Sequence, residues 1–285
     1  MISMVGCTQR HGLKKRDMVR VKHDKRRGIL NTEAAVTRFW PTDDLAPFVE
    51  HYWIVRWDLA EPQIAETLPY PSVHMVLEDG RSEVVGVMRG KFSRIIEGRG
   101  RVVATKFRPG GFRPFVDRSV ATFTDRRWPL PSVFGPGVEA FGAEVLSHDD
   151  DIEAVNRIES FLRSFGPAAG AALSLAGQIT ARIADDRAIT RVDQIAEDFA
   201  MSARQMERLF RDYVGVTPKW VIQRYRLIEG AERIATGDVA DFASLALDLG
   251  YADQAHFIRD FKKIVGRAPA RFVRERQASG SIGLN

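Results

Sequence analysis

From residue 39 to about residue 133, apolar and polar positions alternate with the period of two that marks strands. In His51-Tyr-Trp-Ile-Val-Arg-Trp57 the positions His51, Trp53, Val55 and Trp57 share one face. Residues 72–77, 84–88 and 102–107 are further short runs of this kind. Turn signals separate the runs at Asp79-Gly80, Gly98-Arg-Gly100 and Pro109-Gly-Gly111. Strands that follow one another without intervening helices predict a small antiparallel barrel or sandwich. After Asp151 the period becomes helical. Ile152, Val155, Ile158, Glu159 and Leu162 recur along one stripe, residues 167–185 supply a second helix, and every periodic segment up to Arg274 is helical.

The helical half contains a duplication. Ala196 matches Ala246 at an offset of 50, and Arg208/Arg259, Phe210/Phe261, Gly215/Gly266 and Pro218/Pro269 match at 51. Each copy predicts helix–turn–helix. In the first, Ile195 and Phe199 form the stripe of the leading helix and Ser202 is positioned to cap the next. Met206, Leu209, Phe210 and Tyr213 then fall on an inward face, leaving Arg204, Gln205, Glu207, Arg208 and Arg211 outward. In the second, Phe257, Phe261 and Ile264 point inward, while Asp253, Gln254, Ile258, Arg259 and Lys262 point outward, with His256 beside them. Thr217-Pro218 opens a connecting helix with the stripe Val221, Ile222, Tyr225, Ile228, Ala231 and Ile234, and Gly237 stops it. Two such units on one connector can set two recognition helices in successive major grooves, about 34 Å apart.

Gly250-Tyr-Ala-Asp-Gln-Ala-His-Phe-Ile-Arg-Asp-Phe-Lys-Lys-Ile-Val-Gly-Arg-Ala-Pro269 resembles the signature of the AraC/XylS family of bacterial transcription regulators, and the likeness extends over about residues 188–275. The resemblance implies that Arg204, Glu207 and Arg208 in the first unit, and Gln254 and Arg259 in the second, fall at DNA-contacting positions. Ala255 stands where the family has Ser and Ala268 where it has Thr, which removes one small polar contact and one cap. The family's front domain is variable, often a cupin-like barrel that senses a small molecule or mediates dimerisation. The front half is similar to a subgroup carrying Phe107-Arg-Pro-Gly-Gly-Phe-Arg-Pro-Phe115. Gly110-Gly111, with Arg108 and Arg113 beside it, reads either as an anion-cradling loop or as a tight turn. The turn is the reading preferred.

The net charge of +5 changes the picture only once it is divided. Residues 1–31 hold nine Lys and Arg against Asp17 and Asp24, a balance of +7, so residues 32–285 sum to −2. The tail reads as a disordered leader, as an over-extended start with Met18 the true beginning, or as a phosphate-binding arm. At the other end Arg259, Lys262, Lys263, Arg267, Arg271, Arg274 and Arg276 oppose Asp260 and Glu275 alone. Of these Lys263, Arg267 and Arg271, together with Ser202, are the expected phosphate contacts.

One cysteine, Cys7, excludes an internal disulfide and a Cys-based zinc site. No Gly-x-Ser-x-Gly, Walker loop or His-Glu-x-x-His occurs, so no catalysis, metal or cofactor is expected. His51 and His74 lack a third partner and read as packed histidines. Trp40, Trp53, Trp57 and Trp128 read as core or as an aromatic pocket. No apolar run reaches the roughly 20 residues a membrane span needs, and the N-terminus lacks the charge and apolar core of a signal, so the cytoplasm is the expected setting.

The expected fold class is α+β multidomain. Residues 1–34 form a tail, 35–148 a β-rich, cupin-like or barrel sensor, 149–187 a helical connector, 188–275 an all-α double helix–turn–helix, and 276–285 a terminal tail. The expected function is a one-component transcription regulator with double-stranded DNA and an unknown small-molecule effector as partners. RNA polymerase and a second copy of the chain are further candidate partners. The competing reading is a ligand-binding or enzymatic front domain whose helical half serves protein contacts.

Overall fold

The computed structural model describes residues 21–22, 35–239 and 241–279. Among the described residues seven antiparallel strands form one sheet: β1 Val21–Lys22, β2 Ala35–Phe39, β3 Val49–Thr67, β4 His74–Glu78, β5 Glu83–Val85, β6 Phe92–Phe107 and β7 Arg127–Pro129. Their order is β1-β2-β3-β6-β4-β5-β7, with β1 and β7 at opposite edges, so the front half is the antiparallel β-rich unit expected. The short β1 lies in the expected tail; the rest of residues 1–34 lies outside the described part.

The alternation read from the sequence holds, and both faces of the sheet are used. Tyr52, Ile54, Met75, Leu77 and Val103 point into the main core. Trp53, Val55, Trp57, Val76 and Val102 cluster on the opposite face. Strands β3 and β6 are much longer than predicted. Gly98-Arg-Gly100 is not a turn but part of β6, opposite a register shift between Leu59 and Gln63. The reason is a cross-strand pair. Trp57 lies opposite Gly100, and a Cβ on Gly100 would sit 2.2 Å from the Trp57 ring. The glycine makes room for the indole and does not break the strand. Gly100→Ala is therefore expected to destabilise the protein by about 1–3 kcal/mol through overpacking, read as a lower unfolding midpoint with a shifted tryptophan emission. The expected strand at 84–88 shortens to β5, after which Gly86 N donates to the Arg126 carbonyl.

Among the described residues ten α-helices follow the sheet: α1 Leu130–Phe134, α2 Phe141–Ser147, α3 Asp151–Ser164, α4 Ala171–Asp185, α5 Val192–Asp198, α6 Ala203–Leu209, α7 Pro218–Thr236, α8 Phe242–Asp248, α9 Gln254–Val265 and α10 Pro269–Ser279. The stripe predicted for α3 packs on the sheet, with Val155, Ile158 and Leu162 at 0% exposure. Glu159 lies on the same stripe and is buried too. Its carboxylate accepts from Thr42 N and Thr42 Oγ1, both at 3.0 Å, and from Arg163 Nη2 at 2.9 Å.

The main core does not stop at the sheet. It runs through α3 and α4 into the first helix–turn–helix, joining Phe112 and Phe123 to Met206, Phe210, Val214 and Val221. A second core surrounds α9, with Leu227, Ala231, Phe257, Phe261 and Phe272, and takes in Leu68 from just beyond β3. No helix among the described residues is long and apolar enough to cross a membrane.

Candidate nucleic-acid interface

The duplicated units fold alike because the same residue types fall at equivalent places. Ile195 and Ala196 of α5, like Leu245 and Ala246 of α8, are buried under the following helix. Ser202 caps α6. Its hydroxyl accepts from Gln205 N at 3.3 Å, and Gln205 Oε1 accepts from Ser202 N at 2.9 Å. Asp253 caps α9, accepting from His256 N at 2.7 Å. Met206 and Phe210 on one side, and Phe257 and Phe261 on the other, anchor the two recognition helices at 0% exposure. Both end on a left-handed glycine, Gly215 at φ 93° and Gly266 at φ 82°, which only a residue without Cβ adopts at no steric cost. The copies diverge in their last turn. Phe210–Val214 widens so that Gly215 N bonds the carbonyl five residues back, whereas Gly266 N bonds four back, to Lys262. Thr217 Oγ1 accepts from Trp220 N at 3.2 Å to start α7, while Ala268 offers only its carbonyl to α10.

The outward face carries the predicted cations. Arg204, Glu207, Arg208 and Arg211 are exposed on the first recognition helix, and Gln254, Arg259, Lys262 and Lys263 on the second. None of Arg204, Arg208, Arg211, Arg259 or Lys262 meets a carboxylate among the described residues, and Arg208 and Arg259 occupy equivalent positions of the repeat. Arg271 is exposed at the start of α10.

Other predicted contacts are engaged elsewhere. Ser202, Gln205 and Asp253 serve their caps. Ile258 is half-buried against the second core instead of facing outward. His256 packs edge-on to Tyr251, with ring centroids 5.3 Å apart, and stands 3.6 Å from Asp260. Arg267 pairs with Glu66 of β3 at 2.6 Å and lies over the Phe272 ring. Arg276 lies outside the residues whose side chains are described.

The front domain grips both units through residues whose role the sequence did not reveal. Ser119 Oγ donates to the Arg211 carbonyl at 2.9 Å, Thr124 Oγ1 to the Gly215 carbonyl at 2.6 Å, and Arg113 Nε to Asp212 at 3.2 Å. Arg108 Nε donates to the Ala46 carbonyl at 2.7 Å. The Pro109–Gly111 segment is thus a turn whose flanking arginines hold protein partners. On α7, Arg224 is 1% exposed, lies over the Trp220 ring at 4.6 Å and donates to the Arg89 carbonyl. Burial pushes its guanidinium down to about 10. In the sequence Arg224 falls three after Val221 and four before Ile228, on the apolar stripe of the connecting helix.

His51 and His74 line a cleft on the sheet face opposite the main core, with Trp40, Trp53 and Trp57; Trp128 packs against the main core. Burial, reinforced by the charge of Lys106, holds the His74 imidazole down to about 3. Burial raises the Glu50 carboxyl, but hydrogen bonding from His51 and the charge of Lys106 outweigh it and keep it well below the usual range. Both shifts act in one direction. The unfolded chain takes up a proton at His74 as pH falls below about 6.5, while the folded chain stays neutral down to about 3. Stability is therefore expected to fall through this window, by about 1.4 kcal/mol per pH unit from such a histidine. Glu50 adds to the loss below its ordinary range. Urea unfolding between pH 7 and pH 4 measures the slope, and His74→Gln is expected to flatten it.

Comparison with known proteins gives two family matches. Residues 195–275 match the family described as "Helix-turn-helix domain", and residues 37–129 match one described as "Domain of unknown function (DUF6597)". PqrA of Proteus vulgaris is 33% identical over 82 residues, covering 29% of this chain and 66% of that protein. The HTH-type transcriptional activator RhaS of Escherichia fergusonii is 30% identical over 87 residues, covering 30% of this chain and 31% of that protein. The chain thus spans less than two thirds of either relative. Among solved structures, ToxT from Vibrio cholerae is similar over 78% of this chain and 97% of its own, at 13% identity and a TM-score of 0.39. The matched segment coincides with the duplicated helix–turn–helix and its outward arginines. Residues 195–275 of this chain thus form a helix–turn–helix domain similar to that of transcriptional activators such as RhaS.

Proposed function

We propose that this protein is a bacterial, cytoplasmic one-component transcription factor that binds specific DNA sites. The observation that carries the proposal is the pair of equivalent, exposed arginines, Arg208 and Arg259, on two recognition helices of a duplicated unit. Guanidinium groups without a protein partner among the described residues, on such helices, suit bidentate contacts to guanine in the major groove. Arg204, Glu207, Arg211, Gln254 and Lys262 complete the reading face, and Lys263 and Arg271 hold phosphate. The front domain responds to a small-molecule effector and passes its state to the helical half, a role supported by the shared core and by the Glu66–Arg267 pair.

The test uses the intact chain, because the first helix–turn–helix shares its core with the front domain. Fragments selected from pooled genomic DNA are titrated across salt against unrelated competitor DNA. Recovery of one sequence class, bound in preference to competitor, is the expected result. Retention of random sequence alone, with affinity that vanishes as salt rises, would reject sequence-specific recognition.

A further inference from the structure

The sheet face opposite the main core lines a cleft of about 1540 Å³, whose far wall is formed by α4 and α7. Its floor is the apolar strip of Trp53, Val55, Trp57, Val76 and Val102. Both indoles on this floor have their N–H groups engaged. Trp53 Nε1 donates to His74 Nδ1 at 3.3 Å, and Trp57 Nε1 to the Glu97 carbonyl at 3.1 Å. What the indoles retain for a ligand is ring surface, which favours another flat ring. The bond from Trp53 also selects a tautomer: with Nδ1 accepting, the neutral imidazole carries its hydrogen on Nε2 and becomes a donor. Two residues earlier, Ser72 lines the same cleft. It is 2% exposed, and its hydroxyl has no hydrogen-bond partner among the described residues. A buried hydroxyl of that kind gains from any ligand group that bonds it.

Many of the charges around the cleft are engaged: Arg81 and Arg127 share Glu83, Asp186 pairs with Arg182, and Arg108 and Arg226 donate to backbone carbonyls. Lys106 meets Glu50 at 2.9 Å, Arg127 meets Glu83 at 2.5 Å, Arg187 meets Glu229 at 3.1 Å, and Arg94 grips Glu78. The floor itself offers no charge, so a charged ligand stacked on it would have to break one of the neighbouring pairs or lie uncompensated in a partly dry site. An uncharged one would not.

We propose that this cleft is the effector site and that the effector is an uncharged, flat aromatic or heteroaromatic molecule. It stacks on Trp53 and presents a hydrogen-bond acceptor to His74 Nε2 and Ser72. The proposal rests on reading the protein as an effector-responsive regulator. Tyr225 and Ile228, which also line the cleft, belong to α7, the helix that spaces the two helix–turn–helix units. The cleft that takes the ring is therefore walled by the element that sets their separation.

The test is a titration of the full chain at pH 7.5 with N-phenyl-1-naphthylamine, followed by quenching of tryptophan emission. 1-Anilinonaphthalene-8-sulfonate, the same rings with one negative charge, is the comparison. Saturable binding of the neutral compound is expected, with the sulfonate at least tenfold weaker. Trp53→Leu should weaken the neutral compound at least tenfold, and Trp53→Phe, which keeps a ring, by less than threefold. Quinoline should displace it better than naphthalene, a ring of the same shape without an acceptor, and His74→Phe should abolish that difference. Equal or tighter binding of the sulfonate, an unaffected Trp53→Leu protein, or no saturable binding of either compound would overturn the assignment. Equal displacement by quinoline and naphthalene would remove the part given to His74. DNA binding by the same preparations separates the two readings. If the neutral compound fails while specific DNA binding persists, the effector class is wrong and the regulator stands. If DNA binding fails while the compound binds, the regulator is wrong and the cleft remains a ring-binding site.

Discussion

Arg208→Ala and Arg259→Ala are each expected to weaken binding to the selected DNA site by about 1–3 kcal/mol and to relax base preference at the position each one reads. The folded protein should hardly notice. Both side chains are exposed and make no ion pair among the described residues, so unfolding midpoints should stay within about 0.5 kcal/mol of the parent. That separation makes the experiment decisive, because a loss of affinity cannot then be ascribed to a loss of fold. Lys263→Ala serves as the contrast. A phosphate contact should weaken all sequences about equally and lower the salt slope by about one. Unchanged affinity and unchanged preference in both arginine variants would sink the assignment of these helices to DNA. Equivalent placement in the repeat also predicts near-additive losses in the double variant, since the two residues sit on separate helices.

Glu159→Ala is expected to cost about 2–3 kcal/mol of stability. Glu159 is 1% exposed and holds Thr42 N, Thr42 Oγ1 and Arg163 at once. Truncation leaves the Thr42 amide without its acceptor, and the guanidinium keeps only Asp44, which Arg163 Nε meets at 2.6 Å, and the Thr42 hydroxyl. Arg163 is one-third exposed, so water recovers part of its solvation, and the figure is set below that for a fully buried pair. Hydrogen bonding from Arg163 holds the Asp44 carboxyl down to about 2, so that half of the network survives the substitution at neutral pH. Glu159→Gln keeps the shape and one acceptor, and should cost less than half as much. Urea unfolding distinguishes the cases. A Glu159→Ala midpoint equal to that of a surface substitution would show that the network adds nothing.

Local chemistry was legible wherever one residue's neighbours along the chain decide its state. Ser202 and Thr217 cap the helices they were expected to cap, and Met206, Phe210, Phe257 and Phe261 face inward at the spacing that their stripe required. The alternation around Trp53 likewise placed the right residues on one face. It did not say what that face looks upon, because period two is the same whether the second face meets solvent, another sheet or a cleft. Gln205 illustrates the same limit at the interface. Helical spacing turned it outward, but the amide folds back on Ser202, since the first turn of a helix has backbone groups to satisfy before any ligand arrives.

The sequence by itself therefore determined the passage from a strand-rich to a helical half, the duplication, the caps at Ser202 and Thr217, and the outward arginines, all of which follow from periodicity and backbone hydrogen-bonding needs within a few residues. Tertiary structure alone decided the partners that lie far apart in the chain. Trp57 against Gly100, Arg267 against Glu66, Arg224 beneath the front domain, and the single core joining the sheet to the first helix–turn–helix are contacts of this kind. None has a local signal, because a side chain's burial and charge pairing depend on which distant surface closes over it, and that is settled only when the whole chain packs.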